Sequence, residues 1–488
     1  RLGSLTRAQL LAIAMLGLLG IYTAVLAKQA SHAVGGSDSS GYARMARSLL
    51  EGRVKLPIEE LEKFGVPADY APIFTPLAYT SYRNGDALSN LMTPFYPIGF
   101  PLHLAAGAAI FGWLRGPFWV CPLLGALSLL LLYLTARQLG LSRTFAYAGV
   151  LLLAVNPTFI FMASQPMSDV AALFWASVLV WAGLRSRQKD GWALLAGVAF
   201  GAAFLVRPTN ILLLAPLAFC LRLKPKTLLF FALGGLPMAA IFLGYNYAAY
   251  GHPLQTGYGS INLQESITAV GFAARFKDYA YWLVMTLSPV LILGWLAVAV
   301  NRRVEWRDRT LLILWFAAFL IFYGCYSIYG AWWYTRFLLP AYPALILGAL
   351  LTARDIFARL EDHRLLLRIA GAASLAVALG FACYQNRAQG VFNLRQEQTV
   401  HPDSCRWADA RLPAQSVIVA SQMSGALKFY TDRLIFRWDM LPSELWPSLK
   451  ERIQERGYQF YALLMEYELA DAQRNVLGEW SELGHVGN

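Results

Sequence analysis

Charged residues are scarce in this chain. They make up 14% of its 488 residues against 57% hydrophobic, and no soluble domain hides that much apolar side chain in one core. Cysteine is scarcer still: there are five, four of them inside or at the ends of apolar segments, which makes neither a disulfide framework nor a metal-ligand spacing. No internal repeat recurs at a fixed short period, and no low-complexity linker divides the chain. Acids are the minority charge, 29 against 41 Lys and Arg, for a net charge of +12. Those cations lie in clusters between apolar runs, so they set membrane topology and nucleic acid is not an expected partner.

What is present is a series of apolar stretches close to the length needed to cross a bilayer, at roughly 8–27, 117–136, 145–163, 169–184, 192–206, 208–221, 227–249, 279–300, 310–329, 337–353 and 366–384. They predict a polytopic α-helical membrane protein with about eleven transmembrane helices. The first is read as a retained span, because Lys28-Gln29-Ala30-Ser31-His32 is a poor signal-cleavage site. Basic clusters at Arg1/Arg7, Arg137/Arg143, Arg185/Arg187/Lys189, Arg222/Lys224/Lys226, Arg302/Arg303/Arg307/Arg309 and Arg354/Arg359/Arg364/Arg368 all fall on the cytoplasmic side if residues 97–114, with Pro97, Gly99, Pro101 and His103, form a surface or re-entrant element.

That topology assigns 1–384 to a transmembrane module whose first external loop, 28–116, carries surface helices, and 385–488 to an extracytoplasmic domain. The N-terminus is cytoplasmic, and a bacterial inner membrane with a periplasmic tail is the natural home. In the tail, Ser416-Val417-Ile418-Val419-Ala420, Leu434 to Trp438 and Tyr458 to Met465 read as strands, with helices at 423–430, 443–456 and 466–475, a small α/β domain. It carries no glycine-rich phosphate loop and no serine elbow.

Chemistry is therefore sought in the external loops. Asp38 stands in Gly35-Gly36-Ser37-Asp38-Ser39-Ser40-Gly41-Tyr42, directly after the first span. Ser37 or Asp38 is placed to cap a helix from about Ser39 to Glu51, lying on the membrane surface with Tyr42, Met45/Ala46 and Leu49 on one face and Arg44, Arg47 and Arg53 off it. A second acid, Asp169, recurs where a later span surfaces. Arg207 lies between two short apolar segments, where an ionisable group needs a partner; pairing with Asp38 or Asp169 explains it as well as a ligand does. Arg336 follows the aromatic run Trp332-Trp333-Tyr334, as an interfacial anchor also would.

Asp38 after span one, Tyr96-Pro97-Ile98-Gly99-Phe100-Pro101-Leu102, Asn156-Pro157 with Asp169, Phe204-Leu205-Val206-Arg207-Pro208, and Tyr334-Thr335-Arg336-Phe337-Leu338-Leu339-Pro340-Ala341-Tyr342-Pro343 come in an order that resembles the polyprenyl-phosphate-dependent C-class (GT-C) glycosyltransferases. The chain is similar to the branch holding protein O-mannosyltransferases and lipid A aminoarabinose transferases, over most of 8–384. It departs from the latter at Phe95-Tyr96, where they carry a Lys before the motif.

The resemblance implies a GT-C fold and transfer of a sugar from a polyprenyl-phosphate donor lipid to an acceptor hydroxyl on a glycan, lipid or protein, outside the cytoplasm. It makes Asp38 the general base and Asp169 its orienting partner. A divalent metal ion on these two acids is left open, and no other cofactor is implied. Arg336, Arg207 and Tyr334 become candidates for the lipid phosphate, and Tyr42, Tyr96, His252 and Lys277 for substrate-facing loops. A transporter or flippase, or a polymerase or ligase of lipid-linked glycans, is the alternative, although no inverted repeat is visible.

Overall fold

The computed structural model describes residues 7–260, 267, 269–326, 330–359 and 364–486. It divides into two units: Arg1–Ala30, Phe118–Ala240 and Asn262–Leu394 in the first, and Ser31–Pro117, Ile241–Ile261 and Arg395–Asn488 in the second.

The first unit is helical. Among the described residues, five helices are each long and apolar enough to cross a membrane: Gly116–Gln138, Ser168–Ser186, Pro225–Tyr250, Trp332–Arg359 and Leu365–Ala388. Two pairs, Arg143–Ala154 with Pro157–Ala163 and Phe272–Leu287 with Pro289–Val298, are bent by 64° and 108° and raise the number to seven if each is one span. Two further expected spans are shorter apolar helices, Trp192–Val206 and Pro208–Cys220, and Trp306–Gly324 opens with Arg307, Asp308 and Arg309. The first expected span forms the helix Arg7–Gln29.

Proline places the breaks. Pro157 and Pro289 each sit at the first position of a helix, where their missing N–H costs nothing and their clash with the preceding turn stops the helix before it. Asn156 caps one restart, its side chain accepting from the Phe159 N–H at 3.0 Å, and Ser288 caps the other from φ 84°. Arg207, forced out of helical geometry by Pro208, is extended at φ −147° and ψ 116°.

The second unit holds both sheets. In the loop after the first helix, Leu56–Pro57, Ala87–Pro94 and Tyr79–Asn84 form an antiparallel sheet in that order. The surface-helix expectation for this loop missed the hairpin. The helix Asp38–Leu50 also departs from expectation: Ser39 to Met45, Ala46 and Ser48 are buried except for a half-buried Arg44. Arg44 and Arg47 stack over the rings of Tyr79 and Phe429, at 4.9 and 4.5 Å, because guanidinium planes pack on aromatic faces inside a protein. The helix is a core element of this unit. Gly99–Phe111, at 13 residues, spans about 20 Å and is too short to cross a bilayer.

The tail forms a parallel sheet, Leu434–Phe436, Ser416–Val419 and Gln459–Ala462 in that order. Ser416–Val419 is buried throughout, as a continuous apolar run predicts for a central parallel strand. The helices Ser424–Tyr430 and Trp446–Glu455 make the crossovers.

The tail shares its core with the short loop helices Glu59–Phe64 and Ala71–Phe74. Phe436 meets Phe74 edge-on at 5.7 Å, and Tyr458 meets Phe64 at 5.1 Å. Glu60, whose side chain is 1% exposed, pairs with Lys428, 11% exposed, at 2.5 Å and accepts from the Ile435 N–H at 3.1 Å. Removing one member of a buried pair strands the other charge. Lys428→Ala is expected to lower the unfolding free energy by about 3 kcal/mol. Lys428→Met with Glu60→Gln should recover most of that loss, read by thermal denaturation of the purified protein.

Candidate active site

Asp38 begins its helix. Gly36 at φ 57° supplies a left-handed turn, Ser37 takes the cap position without a side-chain cap bond, and Asp38 follows as the first helical residue, where helix polarity favours an anion. The Ser37 hydroxyl is turned elsewhere, 2.8 Å from the Tyr96 oxygen. Tyr96 in turn donates its O–H to Asp38 Oδ1 at 2.5 Å. Its ring packs on Tyr42 at 4.7 Å, and Tyr42 meets Phe100 edge-on at 5.0 Å. Burial, reinforced by the negative charge of Asp38, holds the Tyr96 phenol well above the ordinary tyrosine range, so it remains a donor. Asp38 itself is half-buried and Tyr42 is buried. Three of the residues singled out by sequence, Asp38, Tyr42 and Tyr96, are thus brought together in the second unit.

Asp169 lies in the first unit, in the opening turn of Ser168–Ser186, with a side chain 0% exposed. Arg207 reaches it from the break before Pro208, with Nη2 at 2.9 Å from Asp169 Oδ1 and Nε donating to Ser168 Oγ at 2.9 Å. Asp169 Oδ2 is buried and accepts no hydrogen bond among the described residues. The pairing that sequence left open for Arg207 is therefore with Asp169. Arg207 and Arg336 both lie over the ring of Phe337, at 5.3 and 5.1 Å, and Arg336 also lies over Tyr334 at 5.9 Å. Tyr323 stacks on Phe337 at 4.8 Å. Two guanidinium groups, a carboxylate and aromatic walls make a cationic cluster able to meet an anion. Ser168, Tyr323 and Phe337 were not legible as parts of it, since a serine or an aromatic in an apolar run carries no signal of its own.

Tyr334 also lines a shallow surface depression with Asp278, Tyr279, Trp282, Gly330, Ala331 and Thr335. Lys277 is exposed on the helix Phe272–Leu287. His252 is exposed in the second unit, its Nδ1 accepting from the Leu254 N–H at 3.3 Å. Neither is drawn into the clusters above. Among the described residues no group of three or more His, Cys, Asp or Glu side chains converges, and Asp169 is held by Arg207. This donor set does not fit a divalent ion, which asks for several oxygen ligands.

Residues 96–243 match the family described as dolichyl-phosphate-mannose-protein mannosyltransferase. A search of curated proteins finds no match. The fold is similar to that of ArnT from Cupriavidus metallidurans, solved bound to undecaprenyl phosphate, with a TM-score of 0.57 at 14% identity over 94% of each chain. In its apo state the same protein gives 0.54 at 16% identity, over 87% of this chain and 85% of that one. The family match spans less than half of the chain, and the likeness to ArnT is one of fold, that of a helical integral membrane protein.

Proposed function

We propose that this enzyme transfers a sugar from a polyprenyl-phosphate lipid to an acceptor hydroxyl, on the outer side of a bacterial inner membrane, with the tail periplasmic. The observation that carries the reading is the Asp38 carboxylate, held by the Tyr96 hydroxyl at the start of a buried helix, in a chain whose residues 96–243 match the mannosyltransferase family. ArnT, which shares the fold, was solved with undecaprenyl phosphate, and this supports a polyprenyl-phosphate donor.

The acceptor oxygen attacks the anomeric carbon while the bond from that carbon to the phosphate oxygen breaks. The bonding pair leaves with the polyprenyl phosphate, and the acceptor proton passes to Asp38 as general base. Tyr96 orients the carboxylate by holding Oδ1. Arg336 and Tyr334 bind the lipid phosphate, where charge grows as the bond breaks. Arg207, anchored by Asp169 and Ser168, adds a second positive charge with few rotamers to explore. Asp169 thereby acts on Arg207 rather than on the acceptor.

Purified protein in lipid nanodiscs, given a panel of radiolabelled polyprenyl-phosphate sugars, tests the assignment. Asp38→Asn should lower turnover at least about a hundredfold with donor binding unchanged. Equal turnover by the two proteins would reduce Asp38 to a structural residue, and movement of donor without turnover by either would favour a transporter. Arg336→Ala should weaken undecaprenyl phosphate binding about tenfold to a hundredfold, as loss of a charge-assisted hydrogen bond does. A pure interfacial anchor would lose stability and keep that affinity.

A further inference from the structure

Residues 32–35, just before Asp38, have no regular secondary structure. Within the segment itself, Ser39 Oγ bridges the Gly35 N–H and C=O, at 2.9 and 2.7 Å, and Ser40 Oγ bonds the Gly36 carbonyl. Besides the Tyr96 contacts, further restraints come from the tail, nearly four hundred residues further along the chain. The Val34 N–H donates to the Tyr430 hydroxyl at 2.8 Å. The His401 imidazole lies flush on Gly35, where a Cβ would run into the ring. Its Nδ1 is 3.4 Å from Met423 Sδ, and burial pushes its pKa below the ordinary range, so it sits there as a neutral wedge. Gly425 closes on Ser40, leaving no room for a methyl group. Ser424 Oγ accepts from the Leu77 N–H at 3.1 Å, and the next residue, Ala78, packs on Gly41.

We propose that the C-terminal tail is a positioning clamp for the proposed base: His401, Gly425 and Tyr430 set where Asp38 stands by gripping the chain on both sides of it. This inference rests on the reading of Asp38 as the base. Ser37, which meets Tyr96, lies inside the gripped stretch, so a shift of Gly35 or Ser40 carries Asp38 away from the Tyr96 hydroxyl. A displacement of about 1 Å at a reacting group costs about a hundredfold in rate, whereas binding of the donor lipid does not depend on it.

Full-length protein in nanodiscs is compared as wild type, Gly425→Ala, Gly425→Ala with Ser40→Ala, and Tyr430→Phe. The readouts are kcat and donor KM for the polyprenyl-phosphate sugar that wild type turns over, Tm, and amide exchange of peptides covering 31–42. Gly425→Ala is expected to lower kcat at least about tenfold with KM within about twofold, and to speed exchange in 31–42. Ser40→Ala removes the severe clash with Oγ, leaving contacts of 3.1 and 3.2 Å to Ser40 Cβ and the Gly36 oxygen that need only small shifts, and should restore kcat to within about threefold of wild type. Tyr430→Phe, which removes one hydroxyl, should speed exchange in 31–42 at nearly unchanged Tm.

Unchanged kcat in Gly425→Ala would overturn the clamp, as would a parallel fall in kcat and Tm that Ser40→Ala does not reverse. If Asp38→Asn retains turnover, the reading of the base fails; if Asp38→Asn is inactive while Gly425→Ala is fully active, only the clamp fails. Should wild type turn over no donor, unchanged exchange in Gly425→Ala and Tyr430→Phe still overturns the clamp, and faster exchange upholds it.

Discussion

Inside a bilayer a peptide group has no water to fall back on, so a helix breaks only where the protein supplies new partners for the N–H and C=O groups set free. That constraint governs the transmembrane unit. The two sharpest breaks are tied to each other: Asn156 caps the restart at Pro157 and, through its side-chain amide, donates to the Thr286 carbonyl at 2.8 Å, just ahead of the break at Ser288-Pro289. At the third break the Asn210 amide donates back to the Ala203 carbonyl at 2.7 Å, while Arg207, freed from the helix by Pro208, turns its guanidinium to Ser168 and Asp169. A break that must be surrounded by protein is also a place where a charge can be kept within the apolar layer. The cationic cluster around Phe337 depends on this, since an unbroken helix through Arg207 would not have released it.

Periodicity and breaker residues were the legible part. The expected apolar stretches form helix over most of their described residues, with breaks or starts at Pro157, Pro208, Pro225 and Pro289; the end of the 310–329 stretch, at 327–329, lies outside the described residues. The tail strands at 416–419, 434–436 and 459–462 fall inside the expected runs, because continuous Val, Ile and Phe between turn residues has few other solutions. Asp38 and Tyr96 stood out as residue types beside membrane segments. The hairpin at 79–94 was missed although Asn84-Gly85 is a hairpin signal, since Tyr79 to Pro94 lacks a clean alternation of apolar and polar residues. Long-range pairing was beyond reach as well. Nothing local in Glu60 or Lys428 announces an ion pair across more than three hundred residues, and an arginine on an amphipathic pattern reads as solvent-facing until an aromatic ring such as Phe429 is placed beside it.

The resemblance made Asp38 the base and Asp169 its orienting partner, and geometry bears on that division before any question of acidity arises. A base must come within hydrogen-bond reach of the proton it takes. The Asp169 side chain is wholly buried, one oxygen faces Arg207, and moving an acceptor hydroxyl onto it would first require that pair to open, leaving a guanidinium in the apolar interior without its counter-charge. Asp38 is half-buried, and the Tyr96 phenol that holds its Oδ1 orients the carboxylate without cancelling its charge. The same logic assigns Asp169 a task that suits its burial: it makes a cation tolerable at depth and holds it still. An arginine so fixed meets a phosphate at little further entropic cost, whereas an unpaired one would fold back onto the nearest carbonyl. The proposed division of labour between the two carboxylates matches the contacts made by each, with the Tyr96 phenol in one case and the Arg207 guanidinium in the other.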